Sequence, residues 1–234
     1  MKAFHAAPAI ITALVLPLAM GLLGPTADAA PPEGTGSPVC IEIPGNAMCI
    51  DAFQETNEGF AAFLNEHGNS CSGHLCMDSK NTRIRRVDGV LRAVKEYERH
   101  PVAWVTWYGA SAACKAKGAR LCTGQEWEAA CKGPDGTHFP YGKTFVKDRC
   151  NGFEAGIGKT VPVGSKKQCE GGLSGLFDMN GNVWDWLGSC RRGKCEIRGG
   201  SFQTYFSYMA CIYWDRYKPA HAEEYIGFRC CRDR

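Results

Sequence analysis

The sequence has no long uninterrupted hydrophobic run and no marked excess of charge of one sign. Its most apolar stretch, residues 9–23, contains Pro17 and Gly21, and it is shorter and weaker than a stable membrane span of about 20 residues. Lys and Arg number 27 against 24 Asp and Glu, a balance that argues against a nucleic-acid partner. We therefore expect neither a membrane span nor nucleic-acid binding.

Catalytic motifs are also lacking. The chain contains no HxxxHxE, GxSxG or HExxH pattern, which excludes the corresponding iron, serine-hydrolase and zinc-protease chemistry. The histidines beyond residue 30 are scattered, and each is expected to be a surface or loop residue: His67, His74, His100, His138 and His221. The basic segment RRGKC, residues 191–195, is expected to be a solvated turn rather than a phosphate clamp.

What the sequence does contain begins with a leader. A basic start, the apolar stretch and a small-residue exit at Ala27 and Ala29 predict a signal peptide over residues 1–30. Residues 31–38 are rich in Pro and Gly and predict a tether, which leaves 39–234 as a single domain. All fourteen cysteines follow the leader, and in an oxidising compartment they predict disulfides rather than zinc sites. We expect a secreted or periplasmic protein.

One helix is predicted soon after the first strands. Thr56 or Asn57 can cap it and Gly68 ends it. Its apolar face consists of Phe60, Phe63 and Leu64.

Two further helices are predicted in the middle of the chain. Thr106 caps the first, which ends near Gly118, and Thr123 with Glu126 forms a capping box for the second. Each has an apolar stripe that is expected to be buried: Trp107, Ala110 and Cys114 on one helix, and Trp127, Ala130 and Cys131 on the other.

The rest of the chain predicts short strands and loops. Residues 40–53 predict two strands around Pro44 and Gly45, and residues 69–100 a loop with a strand or two. The aromatic-rich stretch 198–214, RGGSFQTYFSYMACIYW, predicts a strand entered from a glycine turn. Together these elements predict an irregular α+β domain.

Six segments in order resemble the formylglycine-generating enzyme (sulfatase-modifying factor) family. They are FQETNEGFAAFL, HPVAWVTWYGASAACKAKGARLCTGQEWEAAC, FPYG, GLFDMNGNVWDWLG, RGGSF and IGFRCCR. The resemblance implies a C-type-lectin-like α+β fold with few helices and many short strands. It also implies an oxidase that converts a peptide cysteine to formylglycine with oxygen and copper held by two cysteines, although relatives include iron-dependent sulfoxide synthases and members without known activity.

The resemblance implies two disulfides, Cys114–Cys230 and Cys131–Cys211. Among the remaining cysteines we pair Cys122 with Cys231 and Cys190 with Cys195. For the last six cysteines, one arrangement among several is Cys40–Cys49, Cys71–Cys76 and Cys150–Cys169.

The segment DMNGNVWDW, residues 178–186, resembles the family's calcium loop. The implied ligands of a structural calcium ion are the Asp178 and Asp185 carboxylates and the Gly181 and Val183 carbonyls, and such oxygen donors suit a hard cation. The alternative is an Asx-rich turn without an ion. The family's second calcium loop keeps Asn151 but has Ala155 at the key aspartate position, and no ion is predicted there.

The copper-binding cysteines of the family are missing from the stretch after Gly199 and Gly200. Their positions are occupied by Thr204 and Met209 or, with the gap placed elsewhere, Phe206. Copper(I) needs thiolate ligands, so we expect no copper and assign no catalytic residue. Trp184 and Ser201 match residues that line the family's pocket, and with Thr204, Tyr205 and Tyr208 they form the candidate ligand site. For the aromatic residues, ordinary core and cover positions on a strand are the alternative.

Three functions are compatible with these residues. The first is a non-catalytic, calcium-stabilised domain that binds a peptide or carbohydrate. The second is a metal-dependent oxidoreductase of altered chemistry, and the third is an authentic formylglycine-generating oxidase acting on sulfatases.

Overall fold

Threonine caps determine where the helices begin. A computed structural model describes residues 39–43 and 46–233, and within them the chain forms three α-helices: α1 (Asn57–His67), α2 (Trp107–Ala116) and α3 (Gly124–Lys132). The hydroxyls of Thr56, Thr106 and Thr123 each accept a hydrogen bond from a backbone N–H in the first turn, which satisfies one otherwise unpaired donor. The capping box of Thr123 and Glu126 is present, and Thr56 rather than Asn57 is the cap of α1.

Short strands in the described ranges form two four-stranded sheets. The first has the order β1 (Val39–Ile43), β2 (Asn46–Ile50), β14 (Cys230–Asp233) and β7 (Arg120–Leu121), and the second has the order β12 (Trp214–Tyr217), β11 (Lys194–Arg198), β10 (Trp184–Arg191) and β13 (Ile226–Phe228). Neighbours are antiparallel except for β10 and β13.

Three hairpins complete the architecture of the described residues. They are β3 (Ser70–Cys71) with β4 (His74–Leu75), β5 (Ile84–Val87) with β6 (Val90–Ala93), and β8 (Glu170–Gly171) with β9 (Leu173–Phe177). Residues 69–100 thus contain four strands, more than the one or two predicted. The mixture of few helices and many short strands is the predicted irregular α+β fold.

Two large apolar clusters form most of the core, and a small third one surrounds the Cys150–Cys169 disulfide. One joins α1, α2 and the second sheet around Phe60, Trp186 and Phe228, and the other joins α3 and the first sheet around Trp127. The buried face of α2 consists of Gly109, Ala110, Ala113 and Cys114. Trp107, which was predicted within this stripe, lies at its margin because its indole N–H donates to the Leu187 carbonyl at 2.8 Å.

Six disulfides connect the described cysteines: Cys71–Cys76, Cys114–Cys230, Cys122–Cys231, Cys131–Cys211, Cys150–Cys169 and Cys190–Cys195. These are pairs named from the sequence. Cys49 is also disulfide-bonded and lies opposite Cys40 in the β1–β2 register, but the Cys40 side chain is outside the described residues. The link between Cys114 and Cys230 spans 116 residues and, in the chain-entropy model, contributes about 5 kcal/mol.

The stretch after β11 is a turn and not the predicted strand. Gly199 and Gly200 both have positive φ, 99° and 76°, which ends the extended conformation. Thr204 then closes a local turn by accepting the Ser201 N–H at 2.9 Å, and a short 3₁₀ helix follows at Phe206–Tyr208. The strand prediction was wrong because side chain to backbone bonds compete here with sheet pairing.

The predicted signal peptide, residues 1–30, and tether, residues 31–38, lie outside the described residues. In the part of the chain that the structure describes, helices with the length and apolarity to cross a bilayer are absent. Many disulfides are typical of an oxidising, extracytoplasmic compartment.

Candidate functional site

The turn at Gly199 and Gly200 brings Thr204 and Met209 together. These are the two positions at which the family has its copper-binding cysteines. A Cβ atom built on Gly200 would lie 2.7 Å from Met209 Cγ and 3.3 Å from Thr204 Cβ. Met209 is buried and packs beside the Cys150–Cys169 disulfide. Phe206, the alternative second position, is exposed and stacks on Phe145 with ring centroids 4.8 Å apart. Thr204 and Met209 therefore lie side by side, and Phe206 lies apart from them.

Of the five residues predicted to contact a ligand, two are about half exposed at the surface. Tyr205 and Tyr208 are 53% and 49% exposed, whereas Trp184 and Ser201 are buried. The Ser201 hydroxyl lies 3.1 Å from that of Thr204, so the two hydroxyls bond to each other. The Trp184 ring lies 6.1 Å from the Tyr213 ring, which in turn lies 5.0 Å from the Tyr208 ring.

A cavity of about 500 Å³ opens next to Tyr205. We call it the aromatic cleft, and its lining is Lys147, Phe153, Glu154, Gly156, Gly158, Phe202 and Tyr205. The exposed rings of Phe153 and Tyr205 lie 4.2 Å apart between centroids. Glu154 Oε1 accepts the Phe206 N–H at 3.1 Å, and Glu154 Oε2 is buried with no partner among the described residues. The lining of the cleft therefore combines an aromatic wall with a buried carboxylate oxygen that has no partner among the described residues.

Sequence reasoning found Tyr205 but missed Phe153, Glu154 and Lys147. Phe153 and Glu154 lie about 50 residues earlier, shortly after Cys150, and Lys147 lies three residues before that cysteine. The only signal in the sequence was the Phe153-Glu154 pair within a glycine-rich loop, because the contact itself is long-range.

The predicted calcium loop contains an uncompensated buried carboxylate. Asp178 is buried, with Oδ2 accepting the Gly164 N–H at 2.6 Å and Oδ1 lacking a partner in the described part of the chain. Burial raises the pKa of the Asp178 carboxyl to about 6, because a charged carboxylate is costly away from water. Asp178 has a positive φ of 55°, which an Asp tolerates better than most residues.

Asp185, the second acidic residue of the loop, is fully engaged. Its Oδ2 accepts bonds from Arg229 Nε at 2.8 Å and Trp127 Nε1 at 2.9 Å, and its Oδ1 from Gln54 Nε2 at 3.1 Å. The same Gln54 nitrogen lies 2.6 Å from the Val183 carbonyl oxygen. The Val183 and Asp185 oxygens thus converge on one point, at present occupied by an amide NH₂ group.

Two buried carboxylates of this loop, Asp178 and Asp185, lie near one buried cation, Arg229. Arg229 is wholly buried and pairs with Asp185, and it also donates to the Asp178 backbone carbonyl at 3.0 Å. Gly181 has a φ of 77°, and a Cβ there would lie 2.5 Å from the Asn151 carbonyl oxygen, so only glycine fits. The described residues contain no group of three or more His, Cys, Asp or Glu side chains able to hold a metal, and a cation here would need backbone carbonyls as well.

The orphaned Asp178 oxygen and the all-oxygen donor set fit a hard cation such as calcium. The Gln54 amide would have to turn its oxygen toward the ion, or move aside, for Val183 and Asp185 to contribute. Rotation of the terminal Gln54 amide exchanges its oxygen and nitrogen without movement of the backbone.

The fold, with its disulfides and turn-rich site, defines an α+β domain of the C-type-lectin-like class. The chain belongs to the family of sulfatase-modifying factor enzyme 1-like domains, whose model matches residues 27–234.

Relatives within the family have different activities. The chain is 32% identical to the serine/threonine-protein kinase Pkn1 of Chlamydia trachomatis over 82% of its own length and 34% of the kinase, so it spans about a third of that relative. It is 35% identical to the inactive Cα-formylglycine-generating enzyme 2 of Bos taurus, covering 63% of this chain and 62% of that one. It is 24% identical to the formylglycine-generating enzyme of Thermomonospora curvata, covering 90% and 89%.

Solved structures share the fold. CarF superposes with a TM-score of 0.61 at 23% identity, covering 80% of this chain and 87% of CarF. PvdO from Pseudomonas aeruginosa superposes with a TM-score of 0.62 at 20% identity, covering 80% and 81%. Since the relatives include proteins named as active and as inactive enzymes, the function of this chain has to be argued from its own site.

Proposed function

We propose that this protein is a secreted or periplasmic, calcium-stabilised domain that binds a peptide or carbohydrate in the aromatic cleft and does not oxidise cysteine. The observation that carries the proposal is the exposed Phe153–Tyr205 ring pair beside a cavity of about 500 Å³. Exposed, contiguous aromatic surface is unusual on a protein without a partner.

The chemistry of the cleft suits a ligand with both apolar and polar faces. The Phe153 and Tyr205 rings offer stacking surface for a sugar ring or an apolar side chain. The free Glu154 oxygen can accept a hydroxyl or amide hydrogen, and Lys147 can donate to a carbonyl or hydroxyl.

The chemistry at Thr204 and Met209 supports the absence of oxidase activity. Copper(I) requires thiolate ligands, and a hydroxyl with a single thioether is a poor substitute. Each cysteine from Cys49 to Cys231 is disulfide-bonded, which leaves no thiolate among them to replace the missing pair.

Calcium would be held by the Asp178 and Asp185 carboxylates and the Gly181 and Val183 carbonyls. Bound there, the ion would neutralise the Asp178 charge that burial leaves uncompensated and stabilise the native state by mass action. Arg229 would keep its present hydrogen bond to Asp185 Oδ2, and the ion would be bound by Asp185 Oδ1.

Glycan and peptide arrays probed with the oxidised, calcium-loaded protein test the binding function. We expect a defined ligand class to bind and a Phe153→Ala or Tyr205→Ala variant to lose at least about tenfold in affinity, as for buried aromatic anchors. The matched control is Leu75→Ala, which removes an exposed apolar side chain from β4.

An array with no ligand class, or equal losses in the cleft and control variants, would refute binding at the cleft. Stoichiometric copper or iron in the purified protein would instead favour an oxidoreductase.

A further inference from the structure

We propose that the β10–β11 turn and the neighbouring strand β12 form a second binding site, for an anionic polysaccharide. Four cationic residues line one cavity of about 340 Å³: Arg191, Arg192, Lys194 and Arg216. We call these residues the basic pocket. It is separate from the aromatic cleft, so it does not depend on the function proposed above.

The turn holds its cations in a fixed arrangement. Arg191 and Lys194 are paired across the antiparallel ladder, and the Cys190–Cys195 disulfide closes the hairpin directly behind them. Arg192 and the following glycine both have positive φ, which makes the turn tight. A crosslinked turn loses little conformational entropy when its charged groups meet a ligand, and a merely solvated turn has no need of such rigidity.

Strand β12 adds the fourth cation from the side. Arg216 lies opposite Glu196 in the β11–β12 register. Directly opposed residues share a sheet face and faces alternate with a period of two, so Lys194, two residues before Glu196, lies on the face that carries Arg216. The basic pocket is therefore assembled from three strands of one sheet.

The positive charge of the basic pocket is largely unneutralised. Among the described residues, Arg191, Arg192 and Lys194 form no ion pair, and all three are exposed. Arg216 lies 3.6 Å from Glu196, but that carboxylate is already bonded to Arg198 at 2.6 Å. Arg216 Nε has no hydrogen-bond partner in the described part of the chain, and the Arg216 side chain is 30% exposed, so its guanidinium has donors that an oxyanion in the pocket can use.

An aromatic ring next to the cations identifies the ligand class. Trp214 is exposed, and the Arg216 guanidinium lies 4.4 Å from the centre of its ring. A sugar ring stacked at Trp214 would direct a sulfate or carboxylate group toward the basic pocket. The exposed ring beside the cations favours a charged sugar over a phospholipid surface, which offers anionic groups without a ring to stack, and the nearly balanced overall charge does not favour a nucleic acid.

A size-defined heparin hexasaccharide is the probe, with binding measured by calorimetry on the folded, oxidised protein at two salt concentrations. We expect salt-dependent binding to the wild type, and loss of about tenfold or more in the triple variant Arg191→Gln, Arg192→Asn, Lys194→Gln, since each exposed charge contact contributes modestly. Asn is chosen at position 192 because it tolerates positive φ.

The matched control removes the same charge elsewhere through Lys80→Gln, Arg92→Gln and Lys95→Gln, all exposed and on or beside the β5–β6 hairpin. It should bind like the wild type, and Trp214→Ala should weaken binding without changing its salt dependence. Unchanged melting temperatures show that each variant is folded.

Three results would overturn the proposal. They are no binding of the hexasaccharide to the wild type, equal weakening in the basic-pocket and control variants, and binding to anionic phospholipid vesicles in place of the sugar. A fully desulfated, N-acetylated hexasaccharide that binds as tightly as the sulfated one would contradict the role of the cations.

Discussion

The buried pair of Asp185 and Arg229 offers the sharpest test of how the loop before β10 is held. Replacing Asp185 with Ala removes the acceptor for Arg229 Nε, Trp127 Nε1 and Gln54 Nε2 together. Both charged side chains are at most 1% exposed, so water cannot reach the groups left unpaired without local unfolding.

The expected loss is about 4 kcal/mol. Removing one partner of a buried ion pair costs about 3–5 kcal/mol, and the unpaired Trp127 donor would add to this. Arg229 retains its bonds to the Phe177 and Asp178 carbonyls, which moderates the cost. For a domain of this size the melting temperature would fall by about 8–16 °C.

Denaturant unfolding followed by tryptophan fluorescence, with disulfides intact and a chelator present, measures this loss free of any calcium contribution. The control is Asp233→Ala, since Asp233 is largely exposed and pairs with Arg120 at the surface, where such a pair contributes under about 1 kcal/mol. A loss below about 1 kcal/mol for Asp185→Ala would show that the buried network is not a structural constraint.

Three other predictions concern the calcium loop, a disulfide and the glycine turn. Chelation should lower the melting temperature, measured by calorimetry, of the wild type but not of the Asp178→Asn variant. An equal shift in both proteins would refute the calcium site. Replacing Cys131 and Cys211 with Ser should lower the free energy of unfolding by about 4–5 kcal/mol, since their disulfide spans 80 residues. A denaturation curve that matches the wild type would refute this stabilising role. The double variant Thr204→Cys, Met209→Cys should bind copper(I) in a competition titration where wild type does not, because the two side chains meet at Gly200; failure of the folded variant to bind would show that they do not form a copper site.

Local features made much of this fold predictable from the sequence. Thr56, Thr106 and Thr123 cap the helices because a hydroxyl three residues before a free N–H is a short-range arrangement. The inward faces of α2 and α3 follow from periodicity and place Cys114 and Cys131 in the core. The strands were harder, since pairing partners lie far apart in the sequence.

The candidate site shows where sequence reasoning stopped. The strand predicted after Gly199 failed because two glycines with positive φ and a Ser201–Thr204 turn outweigh aromatic β-propensity. The three side-chain partners of Asp185 lie 44, 58 and 131 residues away, and no local pattern indicates such contacts. Arg229 and Gln54 were consequently missed, although the loop they surround was identified.

Turnover of a Cys-x-Pro-x-Arg peptide in the presence of oxygen and copper, followed by mass spectrometry, is the most direct test of whether this family member is a binding domain. With Thr204 and Met209 in place of thiolates, the peptide cysteine should remain unchanged even at stoichiometric copper. Formation of formylglycine by the wild-type protein would contradict the proposed function.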